Sequence, residues 1–196
     1  MAEERLNAAV FASGNGTDFK ALAEASQGQD LGWQVKLLIT NNKEAGAIEK
    51  AEKLGIPHRY ICRQDYEHRQ DFVRELSETL QEFRINFIAL AGYLRKIPPE
   101  VVRKFKGRII NIHPALLPSF GGKGMYGQKV HQAVLDSGCK VTGVSVHFVD
   151  EEYDRGPIIA QETVPVYGDD ICETLAKRVL KLEHEMYPRI MSLFAE

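Results

Sequence analysis

The chain has 196 residues, of which 44% are hydrophobic and 27% are charged, and its formal net charge is -2. This composition predicts one globular domain over residues 1–196, and the scattered Lys and Arg residues exclude a nucleic-acid partner held by bulk charge. No apolar run approaches the roughly 20 residues needed to span a bilayer, and Met1–Arg5 lacks the apolar core of a signal peptide. We therefore expect a cytoplasmic protein with no membrane contact. Three widely spaced cysteines predict neither a disulfide framework nor a metal site.

Apolar β-like runs alternate with helical patterns along the chain. The predicted strands are Asn7–Ala12, Trp33–Thr40, His58–Ile61, Phe87–Ala91, Ile109–Ile112, Thr142–Val149 and Pro157–Val164. Helices are predicted after Thr17, Glu44, Asp65, Pro98, Gln128 and Asp170, where Thr, Asp, Glu or Pro suits a helix start. The alternation predicts an α/β fold with a mostly parallel, seven-stranded twisted sheet and helices on both faces.

Two of these helices show strong apolar periodicity. The C-terminal stripe consists of Ile171, Leu175, Val179, Leu182, Met186, Ile190 and Leu193, and an earlier stripe consists of Val73, Leu76, Leu80 and Phe83. Spacings of three and four residues place each set on one helix face. Both helices are therefore expected to pack on the sheet.

The first strand runs through Ser13-Gly14-Asn15-Gly16-Thr17-Asp18 into a helix. Such a turn presents backbone N–H groups and the positive end of a helix to an anion, so it predicts a site for one phosphate. A dinucleotide fingerprint would have a third glycine and an acidic residue after the second strand, and neither is present. A tight turn that uses glycine only for its positive φ is the alternative.

Asn111 and His113 stand two residues apart at the end of an apolar strand, followed by Pro114. Because side chains alternate across a strand, both point to one face while Ile110 and Ile112 point to the other. An amide donor beside an imidazole can stabilise an oxyanion and move a proton at the same spot. This pair predicts acyl-type chemistry.

An acidic loop follows the strand Thr142–Val149 and contains Asp150, Glu151, Glu152 and Asp154. Acidic surface turns are usually only solvated. Asp154 differs because it comes directly before Arg155-Gly156-Pro157, where a carboxylate could be fixed at the sheet edge and reach an imidazole. The histidine of the strand, His147, is either part of the site or a core histidine with a satisfied ring.

Taken together, the Asn-x-His-Pro segment, the Ser13–Asp18 loop and the Ser145–Pro157 segment resemble the phosphoribosylglycinamide formyltransferases, which are folate-dependent. The resemblance runs from Asn7 to Phe194 and implies their Rossmann-like fold. Asn-x-His-Pro with a downstream Asp is shared by the wider formyltransferase superfamily, so it identifies the chemistry better than the acceptor. The Ser-Gly-Asn-Gly-Thr loop narrows the choice of acceptor.

The resemblance implies a reaction and a catalytic trio. The formyl group of 10-formyltetrahydrofolate, a cosubstrate, would pass to the amine of 5-phosphoribosylglycinamide, giving formylglycinamide ribonucleotide and tetrahydrofolate in de novo purine synthesis. Asn111 would stabilise the oxyanion, His113 would act as an imidazolium and proton donor, and Asp154 would hold His113 charged. No metal is implied. The implied partners are the two small-molecule substrates, with no nucleic acid and no membrane, for a monomer or a homodimer.

Binding residues also follow from the resemblance. Gly16, Thr17, Asp18 and Glu183 would bind the ribonucleotide; Arg69, Leu94, Arg95, Lys96, Ile97, Asn111, Asp150, Glu151, Glu152, Tyr153 and Asp154 would bind the folate. Without the resemblance, Arg69 reads as a capping or salt-bridged surface arginine. Periodicity alone places Glu183 in a solvated position beside the apolar stripe of its helix.

Three other functions remain as alternatives. A formyltetrahydrofolate deformylase would use water in place of the amine, although such enzymes usually carry an extra N-terminal domain. A formyltransferase for initiator tRNA would need a further C-terminal domain and a basic surface. A non-catalytic nucleotide-binding module would need only the Gly14–Asp18 loop.

Overall fold

The computed structural model describes residues 5–28 and 31–195. Its strands are β1 Leu6–Phe11, β2 Trp33–Thr40, β3 His58–Tyr60, β4 Phe87–Leu90, β5 Ile109–His113, β6 Val141–Phe148 and β7 Ile158–Pro165. Its helices are α1 Thr17–Gly28, α2 Gly46–Lys53, α3 Arg69–Glu82, α4 Pro99–Lys104, α5 Gln128–Asp136 and α6 Cys172–Leu193. Every predicted strand is present, with its ends shifted by at most one residue. Met1–Glu4 belongs to the segment that lacks the apolar core of a signal peptide, and it lies outside the described residues.

The start of α3 differs from the prediction of a helix directly after Asp65. The chain makes a single 3₁₀ turn over Arg63–Asp65 and is extended again at Tyr66 before α3 begins at Arg69. The Asp65 N–H donates to the Cys62 carbonyl in this turn. A short 3₁₀ turn of this kind is a common connector, and it delays the α-helix by about one turn.

The seven strands form one sheet in the order β3-β2-β1-β4-β5-β6-β7. The four pairings among β3, β2, β1, β4 and β5 are parallel, while β5 with β6 and β6 with β7 are antiparallel. The prediction of a mostly parallel seven-stranded sheet is therefore confirmed. Antiparallel β6 and β7 extend the parallel sheet on one side, as often happens in α/β folds.

Alternation along the strands builds a core on each face of the sheet. In β1, Ala8 and Val10 join one buried cluster and Ala9 and Phe11 join the other. Helices α1, α2, α5 and α6 contribute to the first cluster, and α3 and α4 contribute to the second. Helices thus cover both faces, as predicted.

The apolar stripes mark the buried helix faces, with differences at their ends. In α6, Leu175, Val179, Met186 and Ile190 are buried, but Ile171 and Leu193 are exposed because they stand at the two ends of the helix. In α3 the predicted Leu76 and Leu80 are buried together with Phe72, whereas Val73 is only half-buried. The buried apolar residues that the stripes missed, Phe72 in α3 and Tyr187 and Met191 in α6, adjoin the predicted positions.

The chain reverses its direction across the sheet between β1 and β4, and loops from the carboxyl ends of both strands meet there. The Ser13 N–H donates to the Gly92 carbonyl at 3.1 Å, and the Leu94 N–H donates to the Ser13 hydroxyl at 2.9 Å. In open α/β sheets, ligands bind in the crevice at such a point. The fold therefore predicts a ligand-binding site at this edge of the sheet.

Candidate active site

Asn111 and His113 lie at the end of β5 on the face that the alternation predicts. Their neighbours Ile110 and Ile112 belong to the core on the opposite face of the sheet. The antiparallel partner strand β6 places His147 opposite Asn111 and Ser145 opposite His113. The strand pairing thus adds a second histidine to the predicted pair.

A buried network fixes the chain that leaves β5. The Ser145 hydroxyl donates to the Ala115 carbonyl at 2.7 Å and accepts from the Leu117 N–H at 2.9 Å. The Gln161 side-chain amide from β7 donates to the same hydroxyl and to the Leu117 carbonyl. Buried polar networks of this kind rigidify the backbone when all members are satisfied. This one holds the segment that follows His113.

His113 is 3% exposed, and both ring nitrogens face oxygen atoms. Its Nε2 lies 2.8 Å from the Phe120 carbonyl oxygen, which can only accept, so Nε2 carries a proton. Its Nδ1 lies 3.8 Å from Oδ2 of Asp154. This distance is too long for a hydrogen bond but short enough for an ion pair once Nδ1 is protonated.

Two opposing effects act on the pKa of His113. Burial lowers the pKa of the imidazole, and the charge of Asp154 and the hydrogen bond to Phe120 raise it without fully compensating. The resemblance implies that Asp154 favours the imidazolium, and the charge of Asp154 acts in that direction, against the desolvation of the ring. Desolvation outweighs the carboxylate because the two groups are not in hydrogen-bonding contact.

Asp154 folds back to the end of β5, within ion-pair distance of His113. It adopts a left-handed conformation with φ 54°, and its Oδ2 accepts the Gly122 N–H at 2.8 Å. Burial raises the pKa of Asp154, but the hydrogen bond from the Gly122 N–H and the proximity of the His147 and His113 rings bring it below its ordinary value. The carboxylate is thus ionised at neutral pH.

His147 is 2% exposed and orients Asn111. Its Nδ1 donates to the Phe148 carbonyl at 2.8 Å, which leaves Nε2 as the acceptor for the Asn111 side-chain amide at 3.1 Å. Oδ1 of Asp154 lies farther from the same nitrogen, at 3.6 Å. One amide N–H of Asn111 is used by this bond, and the second remains for a ligand. Both ring nitrogens of His147 have hydrogen-bond partners, as expected for a core histidine. His147 also belongs to the site, because one of these partners is Asn111.

A pocket opens beside Asn111 and gathers most of the predicted folate residues. Its lining consists of Leu90, Tyr93, Arg95, Lys96, Ile97, Asn111, His147, Val149 and the loop Asp150–Asp154. Lys96 holds this loop by donating to the Glu151 carbonyl at 2.9 Å and by lying over the Tyr153 ring. Leu94 lies outside the lining and is half-exposed, and its N–H is bonded to Ser13.

Arg69 also lies outside this lining. Its guanidinium forms two hydrogen bonds to Glu100, of 2.6 and 2.7 Å. In the ligand-free structure Arg69 is therefore a salt-bridged surface arginine, which is the alternative that the sequence left open.

The predicted ribonucleotide residues come together where α1 begins. Gly16 has φ 68°, and a Cβ there would lie 2.5 Å from the Cβ of Ala47, so the turn needs glycine for packing as well as conformation. Thr17 and Asp18 open α1, whose first N–H groups lack partners within the helix. The same residues can therefore form a tight turn and also bind an anion.

Glu183 is 8% exposed and contributes to a buried acidic cluster with Asp18. The solvated position that periodicity indicates is wrong, because α1 covers this side of α6 as well. Burial raises the pKa of Asp18 to about 7, and burial together with the charge of Asp18 raises that of Glu183 well above its ordinary value. His184 Nε2 lies 3.6 Å from Asp18 Oδ1, and neither atom has a hydrogen-bond partner among the described residues.

A second groove lies at the opposite, amino edge of the sheet, between the ends of α1 and α3. Its described lining consists of Ser26, Gln27, Gln34, Val35, Lys36, Gly55, Ile56, Pro57 and Phe83, without a carboxylate, imidazole or thiol. The predicted catalytic residues Asn111, His113 and Asp154 lie at the carboxyl edge instead. In ranges 5–28 and 31–195, no three His, Cys, Asp or Glu side chains cluster as metal ligands would. Those ranges also contain no helix with the length and hydropathy of a membrane span.

The family model described as Formyl transferase matches residues 6–191. The chain belongs to the formyl transferase family.

Its relatives and structural neighbours include several phosphoribosylglycinamide formyltransferases. It is 45% identical over 192 residues to the chloroplastic enzyme of Vigna unguiculata, covering 98% of this chain and 62% of that protein. It is 39% identical to the Bacillus subtilis enzyme, covering 93% of this chain and 91% of that protein. The crystal structure of the Brucella melitensis enzyme superposes with a TM-score of 0.89 at 38% identity, covering 97% and 96% of the two chains. The chain spans less than two thirds of the length of the plant relatives it matches.

Proposed function

We propose that this protein transfers the formyl group of 10-formyltetrahydrofolate to the amine of 5-phosphoribosylglycinamide, a step of purine synthesis. The observation that carries the proposal is the convergence of Asn111, His113 and Asp154 beside a pocket at the carboxyl edge of the sheet. The names of relatives at 39 and 45% identity support formyl transfer to the same acceptor. We further propose one catalytic domain over residues 1–196, acting in the cytoplasm as a monomer or homodimer on these two small molecules.

The two substrates have separate binding regions in this proposal. The pocket beside Asn111 takes the formyl-bearing folate ring, with Arg95, Lys96 and Ile97 on one side and the Asp150–Asp154 loop on the other. The ribonucleotide places its phosphate at the start of α1, where unpaired N–H groups favour an anion, and its remainder along Glu183. The folate pocket borders β4 and β5 because Leu90 and Asn111 line it. The ribonucleotide region borders the same strands because Tyr187, one turn after Glu183, donates to the carbonyls of Leu90 and Ile110.

Asn111 stabilises the tetrahedral intermediate. When the amine attacks the formyl carbon, the carbonyl oxygen becomes anionic and accepts the free N–H of the Asn111 amide. His147 holds this amide in place, so little reorganisation is needed during the reaction. A single donor of this kind contributes on the order of 3 kcal/mol to transition-state stabilisation.

His113 and Asp154 act together on the proton. The attacking amine must lose a proton, and the departing folate nitrogen must gain one. A proton on Nδ1 of His113 would lie between the imidazole and an ionised carboxylate, so Asp154 stabilises the imidazolium during this transfer. The neutral resting state of His113 leaves Nδ1 free to accept that proton.

An assay of tetrahydrofolate formation with and without 5-phosphoribosylglycinamide tests the proposal. We expect product only in the presence of the ribonucleotide, with one formylglycinamide ribonucleotide formed for each tetrahydrofolate. Tetrahydrofolate formation that is independent of 5-phosphoribosylglycinamide would identify a deformylase instead. Tight folate binding without turnover in either condition would leave only a binding module.

A further inference from the structure

Arg69 and Glu100 form a two-pronged ion pair where α3 and α4 begin. Nη1 of Arg69 lies 2.6 Å from Oε1 of Glu100, and Nη2 lies 2.7 Å from Oε2. This is the geometry in which a guanidinium recognises any planar carboxylate. The two side chains are 49 and 42% exposed, so a solute can reach both. The fork of Arg69 is therefore filled by a carboxylate from the chain itself.

This ion pair lies just outside the folate pocket. Glu100 stands in the first turn of α4, three residues after Ile97, which lines the pocket. Arg103, one turn further along α4, pairs with Glu151 from the loop on the other side of the pocket at 3.4 Å. A ligand whose ring fills the pocket and whose chain continues past Ile97 would bring its far end to Arg69.

We propose that Glu100 is an internal competitor of the folate tail: it occupies the carboxylate fork of Arg69 until a tail carboxylate of the cosubstrate replaces it. The proposal rests on the proposed function, which supplies a ligand with an aromatic ring system at one end and the carboxylates of glutamate at the other. Glu100 then tunes folate affinity without touching the reacting atoms.

The exchange is energetically easy because it replaces one exposed pair with another. Exposed ion pairs contribute little to stability, so removing Glu100 from Arg69 costs little. The hydrogen bonds from Arg69 lower the pKa of Glu100 to about 2, so the competing carboxylate stays charged at neutral pH. Release of Arg69 is therefore controlled by the incoming carboxylate and not by protonation of Glu100.

Glu100→Gln tests the proposal by removing the competing charge while preserving side-chain size. We expect the dissociation constant of tetrahydrofolate, measured by equilibrium titration, to fall about two- to fivefold, in keeping with the strength of an exposed pair. A tetrahydropterin analogue that lacks the glutamate tail should bind equally to both proteins. In an Arg69→Gln background, Glu100→Gln should have no effect on tetrahydrofolate binding.

Asp71→Asn is the matched control, since it makes the same charge change at the start of α3, where Asp71 pairs with Arg74 at 2.7 Å. We expect it to leave tetrahydrofolate affinity within experimental error. Weaker binding by Glu100→Gln would show that Glu100 orients Arg69, and unchanged binding would show no competition; either result overturns the proposal. An equal gain with the tail-less analogue or with Asp71→Asn would overturn it too. The titration needs no turnover, so failure of the proposed reaction is a separate result.

Discussion

His113 and Asp154 illustrate how burial and a neighbouring charge act in opposite directions on one imidazole. A carboxylate near an imidazole favours the charged ring, but His113 is nearly inaccessible and its pKa falls below the ordinary value. In the ligand-free protein, the neutral imidazole of His113 thus lies next to the ionised carboxylate of Asp154. His113 becomes charged only when its Nδ1, which faces Asp154, gains a proton.

Replacing Asp154 tests this pairing. We expect Asp154→Asn to lower kcat by about 10²- to 10⁴-fold, because the amide cannot stabilise an imidazolium at His113. Folate affinity should change little, since the proposed contribution is to proton transfer. Steady-state kinetics and an equilibrium folate titration check both parts, and circular dichroism confirms folding. A turnover rate close to that of the unmodified protein would remove Asp154 from the mechanism.

Asp18 and Glu183 form a second pair of titratable groups, and burial raises the pKa of both carboxyl groups. Because the pKa of Asp18 rises from 3.8 to about 7 on folding, its contribution to stability is fully present below pH 3.8 and is lost as the pH rises to about 7. We expect Asp18→Asn to raise the free energy of unfolding at pH 8 by ~2–4 kcal/mol. The gain should shrink towards pH 4. Urea unfolding at several pH values measures it, and a loss of stability at pH 8 would contradict the shift.

At the scale of elements, the junction of β6 and β7 fixes the backbone that orients His147. The Phe148 N–H donates to the Pro157 carbonyl, while the Phe148 carbonyl accepts from His147. Gly156 packs so closely that a Cβ there would lie 1.8 Å from this carbonyl oxygen. The bond that orients His147, and through it Asn111, therefore depends on a glycine outside the site.

Gly156→Ala should disturb that connection. We expect a loss of about 1–3 kcal/mol in stability, typical of overpacking, and a lower kcat because the Phe148 carbonyl must move away from His147. Gly168→Ala is the control, because a Cβ at Gly168 would meet no atom within 4 Å. Thermal unfolding and steady-state kinetics on both variants measure the effects. Equal behaviour of the two variants would refute the role given to Gly156.

At the scale of the whole molecule, buried histidines make the fold sensitive to acid. Burial lowers the pKa values of His113 and His131, and His113 adds to the effect on His131. Each group binds a proton more readily in the unfolded chain than in the folded protein. Their stabilising contribution is therefore present above pH 6.5 and lost as the pH falls through the folded pKa values.

His131→Gln tests this behaviour away from the site, on α5. We expect a smaller loss of unfolding free energy between pH 8 and pH 5.5 than in the unmodified protein, because one of the buried histidines whose pKa is lowered is gone. His68→Gln changes an exposed histidine in the same way and serves as the control. Chemical unfolding at both pH values gives the comparison, and an unchanged difference for His131→Gln would contradict the prediction.

Local patterns in the sequence were enough to predict the strands and the directions of their side chains. The alternation in β1 and β5 and the helical stripes are properties of the backbone period, so they hold before any long-range contact forms. For the same reason the shared face of Asn111 and His113 was predictable from their spacing alone. The resemblance added residues, such as Glu183, that periodicity had assigned to solvent.

Tertiary structure alone decided which groups meet and what charge they carry. The return of Asp154 to His113, the bond from Asn111 to His147 and the pairing of Arg69 with Glu100 join residues 31 to 41 positions apart, which local periodicity does not encode. The neutral state of His113 and the raised pKa of Asp18 depend on burial, which arises only when helices close over the sheet. The sequence by itself determined the elements and the family resemblance; packing determined proximity and desolvation, and with them the chemistry available at the site.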